Sequence, residues 1–186
     1  SLIKLFIMLE AFERDNDGTI PFTPEIKDEI KKMITKSDNE ASRKLTDIYY
    51  PKHVEALNVT KGDIKNAGLI TEPISYASKG FPSSVMERKM HDRLPPGGAT
   101  GKNNWTSVED IGNLLEMIYN KECVSKQASE QMLLLLKQQE RTNKIPKLIK
   151  EKQLPVIVAN KTGELNQVEN DAAIITGEGI DDFIFV

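Results

Sequence analysis

Leu5-Phe6-Ile7-Met8-Leu9 follows Ser1-Leu2-Ile3-Lys4 without a single polar residue, and no other stretch constrains the fold as much. A helix that is apolar on most of its sides has no face to turn to water, so other elements have to surround it. Residues 1–13 therefore read as a buried helix, a rigid support for any group at its start. Ser1 and Lys4 stand three positions apart, which places both on one helix face, a turn from each other. An amine held against a hydroxyl can take its proton, so the pair reads as a candidate activated nucleophile.

Asp15-Asn16-Asp17-Gly18 is a turn cluster that ends this helix. It lacks the later ligand positions of a calcium loop. Pro24 opens a second helix, in which Ile26, Ile30, Met33 and Ile34 form one stripe. Lys36-Ser37-Asp38-Asn39 ends it and leads into a third helix, roughly Glu40 to Ile48. Thr60-Lys61-Gly62-Asp63 reads as a capping pattern, residues 71–84 as loop, 85–92 as a short helical turn and 94–101 as irregular chain. Thr106-Ser107-Val108-Glu109 is a capping box ahead of the stripe Ile111, Leu114, Leu115 and Ile118. Ser125 caps a further helix carrying Met132 and Leu133 to Leu136.

The tail changes character. Leu154–Ala159, Ala172–Ile175 and Phe183–Val186 are short apolar runs separated by turn residues, which predicts an antiparallel meander. Helices first and strands afterwards predict an α+β fold, a helical cluster packed against an antiparallel sheet. The expected division of 1–186 is a single domain, helical over about 1–150 with the strands over about 154–186.

Net charge is −3, with both signs mixed along the chain. That gives no footprint for nucleic acid, and no apolar run is long enough for membrane insertion of this segment. A lone Cys123 excludes an internal disulfide and reads as a packed thiol. His53 and His91 stand far apart without a metal-ligand pattern. No metal and no other cofactor is expected.

Two later stretches answer to Ser1-Leu2-Ile3-Lys4: Ser37-Asp38-Asn39 and Lys161-Thr162-Gly163. Each alone has an ordinary reading, as solvated helix surface, a helix cap and a strand entering a turn. Together, in this order, they are rare, and they form the motif set of class A β-lactamases and penicillin-binding proteins. Met33-Ile34-Thr35-Lys36 leads into Ser37, Glu164-Leu165 follows Gly163, and an Asn170-Asp171 strand comes next. On these residues most of the chain resembles the β-lactamase/transpeptidase-like serine hydrolases, and it looks most like their class A-like β-lactamase branch.

The resemblance implies Ser1 as nucleophile, with Lys4 as its base and Lys161 as the second cation that depresses the amine's pKa. It implies Ser37 as a proton relay to the leaving nitrogen, and Asn39 as a hydrogen-bonding partner of Lys4 and of a substrate amide. Lys161 and Thr162 would hold the substrate carboxylate. Gly163 would leave room along the strand edge, and the backbone N–H groups of Ser1 and Glu164 would form an oxyanion hole. The implied substrate is a β-lactam or a cell-wall peptide, and the implied location is extracytoplasmic. It further implies a helix and two strands ahead of Ser1, and a strand and helix beyond Val186, so that any export signal would lie outside this sequence.

Two features depart from the class A pattern. The stretch from Ser1 to Ser37 is shorter, and no Glu-Pro neighbourhood matches the Ω-loop that carries the deacylating glutamate. Glu72-Pro73 comes too early, and Glu87 and Asp92 lack the surrounding pattern. Without a base to activate water an acyl-enzyme persists. Three readings stay open: β-lactamase-like hydrolysis, a D-alanyl-D-alanine peptidase or transpeptidase, and a binding domain that remains acylated.

Overall fold

The computed structural model describes residues 1–53, 69–90, 102–165 and 168–186. The Thr60–Asp63 pattern, the 94–101 loop, His91 and Asp92 lie outside them. Helix α1 spans Lys4–Asn16, and every residue from Lys4 to Phe12 is buried, as the apolar run requires. It runs through Asp15 and Asn16, the first half of the expected turn cluster, and ends in a turn at Asp17 and Gly18. Phe6 packs against Tyr76 and Phe81 with ring centroids 4.8 and 5.1 Å apart. Glu10, also buried, is paired with Arg14 and Lys79, each at 2.7 Å, which a buried carboxylate needs.

Around α1 stand α2 (Pro24–Lys31), α3 (Asn39–Tyr49), α4 (Val108–Tyr119) and α5 (Lys126–Lys137). Thr23, Asp38, Ser107 and Ser125 cap them, each side chain accepting a backbone N–H of the first turn. The cap of α4 is Ser107, one residue later than Thr106, the first residue of the expected box. The Asp110 carboxylate instead accepts from Ser83 N–H and the Ser84 hydroxyl. Between α2 and α3, Lys32–Lys36 forms a π-helical turn.

Residues expected as loop and helical turn form a two-stranded sheet, β1 (Leu69–Ser75) against β2 (Val85–Arg88). The pairing slips between Leu69 and Ile74, next to Pro73, which cannot donate to a ladder. Helix α6 (Ile145–Glu151), also unexpected, carries Pro146 in its first turn, a regular start signal. The tail is the predicted antiparallel meander: β3 (Val156–Leu165), β4 (Val168–Gly177) and β5 (Phe183–Phe185), in that spatial order. Residue for residue, Val156–Leu165 pairs with Val168–Gly177, so Lys161-Thr162-Gly163 lies inside a long strand and not at the end of a short one.

The buried α1 sets a stability prediction. Phe6→Ala deletes a fully buried ring from the centre of the core and should cost about 3–5 kcal/mol. Urea unfolding checks this, and a loss under about 1 kcal/mol would mean that α1 is not central.

Candidate active site

The three motifs meet. Ser1 precedes α1 in a helical turn closed by Lys4 N–H donating to Ser1 C=O at 3.2 Å, which is the one-turn spacing expected from the sequence. Ser37 ends the π-helical turn with φ 58° and ψ 34°, left-handed backbone for a non-glycine residue. Such a conformation costs about 1–3 kcal/mol and persists only where the surroundings enforce it. Asp38 is the α3 cap, its carboxylate accepting Ala41 N–H at 2.7 Å. The cap starts α3 and so fixes the position of Asn39.

The Ser37 hydroxyl is the hub. Its Oγ lies 3.0 Å from Ser1 Oγ, and it accepts from Lys161 Nζ at 2.9 Å and from Lys4 Nζ at 3.4 Å. Lys4 Nζ also donates to Ser37 C=O at 2.6 Å, Asn39 Oδ1 at 2.7 Å and Asp38 C=O at 3.3 Å. Lys161 Nζ donates in addition to Thr162 C=O at 2.8 Å. Both lysines are fully buried. Two ammonium groups on one hydroxyl are held by carbonyl and hydroxyl oxygens.

Burial first, then the Lys4 charge and Arg141, pushes the Lys161 ammonium well below its ordinary value. The folded chain then binds fewer protons than the unfolded chain between that lowered pKa and about 10.4. Stability from this source is fully present above the unfolded value and is lost as pH falls through the window. The raised pKa values of Tyr50 and Tyr76 act oppositely at alkaline pH, so the test is a difference. Urea midpoints of the wild type should rise from pH 7 to 10 relative to those of Lys161→Met. Parallel curves would show that Lys161 titrates as an ordinary lysine.

The remaining expected residues sit on the same strand. Thr162 is buried. A methyl at Gly163 would lie 3.5 Å from Leu2 N, Leu2 Cγ and Asn170 Cβ, ordinary contact, so this position brings β3 against the first turn of the chain. The Glu164 carboxylate meets Arg141 Nη1 at 3.1 Å and Lys144 Nζ at 3.5 Å. Lys144 also donates to Gly163 C=O at 3.0 Å and Asn170 C=O at 3.3 Å. Arg141 and Lys144 escape a reading along the chain, because neither belongs to a periodic stripe or a short motif.

Two of the carboxylates considered for deacylation are among the described residues. Glu72 is exposed on β1, and Glu87 is half-buried on β2. Among the described residues neither is hydrogen-bonded to Ser37 or Lys161. No described helix is long and apolar enough to cross a membrane.

A profile for the beta-lactamase enzyme family matches residues 21–186, taking in the second and third motifs. The chain is similar in fold to a β-lactamase of Sphaerobacter thermophilus, with a TM-score of 0.72 and 21% identity over 95% of this chain and 68% of that one. It is similar to the protein PBP-A, with a TM-score of 0.70 and 17% identity over 98% of this chain and 68% of that one. A β-lactamase of Chitinophaga pinensis gives a TM-score of 0.63 and 16% identity over 94% and 70%. At these identities the likeness is one of fold. No curated protein matches the chain.

Proposed function

The chain belongs to the beta-lactamase enzyme family, and from that premise we propose that it is a serine hydrolase acylated on Ser1 by β-lactams, hydrolysing the ring as β-lactamases do. The single observation that carries this reading is the Ser37 hydroxyl held between Ser1 Oγ and the two buried lysine ammonium groups. Residues 1–186 act in this reading as one catalytic domain.

A hydroxyl has one proton to donate and two lone pairs. With both lysines charged, both lone pairs of Ser37 are taken, its O–H points at Ser1, and Ser1 cannot pass its proton on. With one amine neutral, Ser37 donates to that nitrogen and accepts from Ser1. The pKa of Lys161, lowered by burial and then by the Lys4 charge, supports one neutral amine in this pair. We take Lys4 as the base, reached from Ser1 through Ser37, and Lys161 as the cation beside it. Ser1 Oγ then attacks the lactam carbonyl carbon, the C–N bond breaks, and the Ser1 proton reaches the leaving nitrogen through Ser37. The N–H groups of Ser1 and Glu164 stabilise the oxyanion. Asn39 holds the substrate amide. Lys161, with the Thr162 hydroxyl, attracts the substrate carboxylate, and Arg141 and Lys144 add positive potential alongside. Such a substrate is met outside the cytoplasm, and that is where we place the protein.

Intact mass of the protein followed over time after mixing with a penicillin tests this. An adduct that rises and decays while product accumulates is the expected result. Absence of both adduct and substrate loss would remove the reading. A permanent adduct would replace hydrolysis with a peptidase or a penicillin sensor, and release of D-alanine from a pentapeptide would select the peptidase.

A further inference from the structure

Ser37 reaches its place at the end of a turn whose backbone carbonyls all need partners. The final carbonyls of a helix have no donor within it, and in a π-helical turn the pairing is displaced by a further residue. Here five consecutive carbonyls are each matched. Lys4 takes those of Ser37 and Asp38 from one side. The segment between α5 and α6 takes the other three, in register. Gln139 Nε2 donates to Ile34 C=O at 3.0 Å, Glu140 N–H donates to Thr35 C=O at 2.9 Å, and Arg141 Nε donates to Lys36 C=O at 3.0 Å.

The same segment grips the strand that carries Lys161. Gln139 Nε2 also donates to Asn160 C=O at 3.3 Å, and Arg141 Nη1 reaches the Glu164 carboxylate at 3.1 Å. These contacts bracket Lys161 on β3 as the first three bracket the approach to Ser37. The clasp is braced internally by Arg141 N–H donating to Gln139 Oε1 at 3.0 Å. Gln139 is buried, so its amide has no water to exchange these bonds for.

We propose that Gln139 and Arg141 are positioning residues: by bridging the carbonyls before Ser37 to the strand of Lys161, they hold Ser37 in its left-handed conformation and fix the hydroxyl between Ser1 and Lys161. The inference deepens the acylation reading and rests on it. Neither side chain touches the reacting atoms. They act through Ser37, so their loss lowers the acylation rate constant, and loss of Gln139, which carries no charge, leaves the affinity of the non-covalent complex unchanged.

The test is a double-mutant cycle read by single-turnover acylation with a penicillin, separating the limiting rate constant from the half-saturating concentration. Gln139→Ala and Arg141→Met should each lower the rate constant about 10- to 100-fold, the cost of moving a reacting group by about 1 Å. In a Ser37→Ala background the same changes should alter the remaining rate less than about twofold, because the residue they act through is gone. Arg141→Lys, which keeps a donor for Lys36 C=O, should recover most of the rate. An equal loss in both backgrounds, or none in the wild-type background, overturns the proposal. Should Gln139→Ala fail to fold, the arginine pair carries the cycle alone. A crystal structure of Arg141→Met adds a readout independent of any penicillin. Ser37 leaving positive φ, or its Oγ moving beyond hydrogen-bond distance of Lys161 Nζ, supports the clasp, while an unchanged turn refutes it. If the wild-type protein forms no adduct the acylation reading has failed, whereas a wild-type adduct with unaffected variants sinks the clasp alone.

Discussion

Ser1→Ala is expected to leave no covalent adduct with a penicillin and to lower any hydrolysis by about 10⁴-fold or more, the scale seen when a catalytic nucleophile is deleted. The fold should survive. Ser1 is half-buried at the entry to α1, and its hydroxyl is one of three partners of Ser37 Oγ, so the alanine leaves Ser37 bonded to both lysines. Unfolding should change by no more than about 1 kcal/mol, the net worth of the one hydrogen bond lost. A variant that is stable and inert would separate chemistry from folding. One that still acquires the adduct at the wild-type rate would show that another group is the nucleophile.

Lys4→Met should lower acylation by about 10²–10⁴-fold, the usual contribution of a positioned base. Its effect on stability is a contest of two terms. Losing the ammonium orphans the Ser37 carbonyl, met at 2.6 Å, at about 1–3 kcal/mol for an unsatisfied group. Asp38 C=O keeps Ser42 Oγ as a donor, and half-buried Asn39 can turn to water. Against this, methionine removes a buried charge facing another cation, which often stabilises. Ser37 sits in left-handed backbone and depends on its carbonyl being held, so the first term should win by about 1–2 kcal/mol. Single-turnover acylation and urea unfolding measure the two effects separately. A more stable protein with full acylation would contradict both halves.

Much of the site was legible because short-range chemistry sets it. Ser1 and Lys4 are a turn apart in any helix, and Asp38 caps α3 by a local bond. Lys161 is buried on β3, which packs against α5, in a tail whose apolar runs announce a sheet. The features that escaped depend on distant partners. β1 is interrupted and contains Pro73. The burial of β2 alternates, but with Val85 and Glu87 on one side and Met86 and Arg88 on the other, which is no alternation of apolar with polar residues. Ser37 adopts positive φ without the glycine that would advertise it, because Lys4 and residues 139–141 enforce it from outside the turn. Gln139 and Arg141 sit in a polar connection that no pattern distinguishes from surface loop. The fold class and the converging motifs could be read along the chain, while the groups that hold them in register could not.

Every role assigned to the site depends on Ser1 being the hydroxyl that becomes acylated. Tandem mass spectrometry of peptides from the protein quenched shortly after mixing with a penicillin addresses this directly. The predicted result is one modified site, on Ser1, as an ester that hydroxylamine removes. A hydroxylamine-resistant amide on Lys4 or Lys161, or an ester on Ser37, would contradict it.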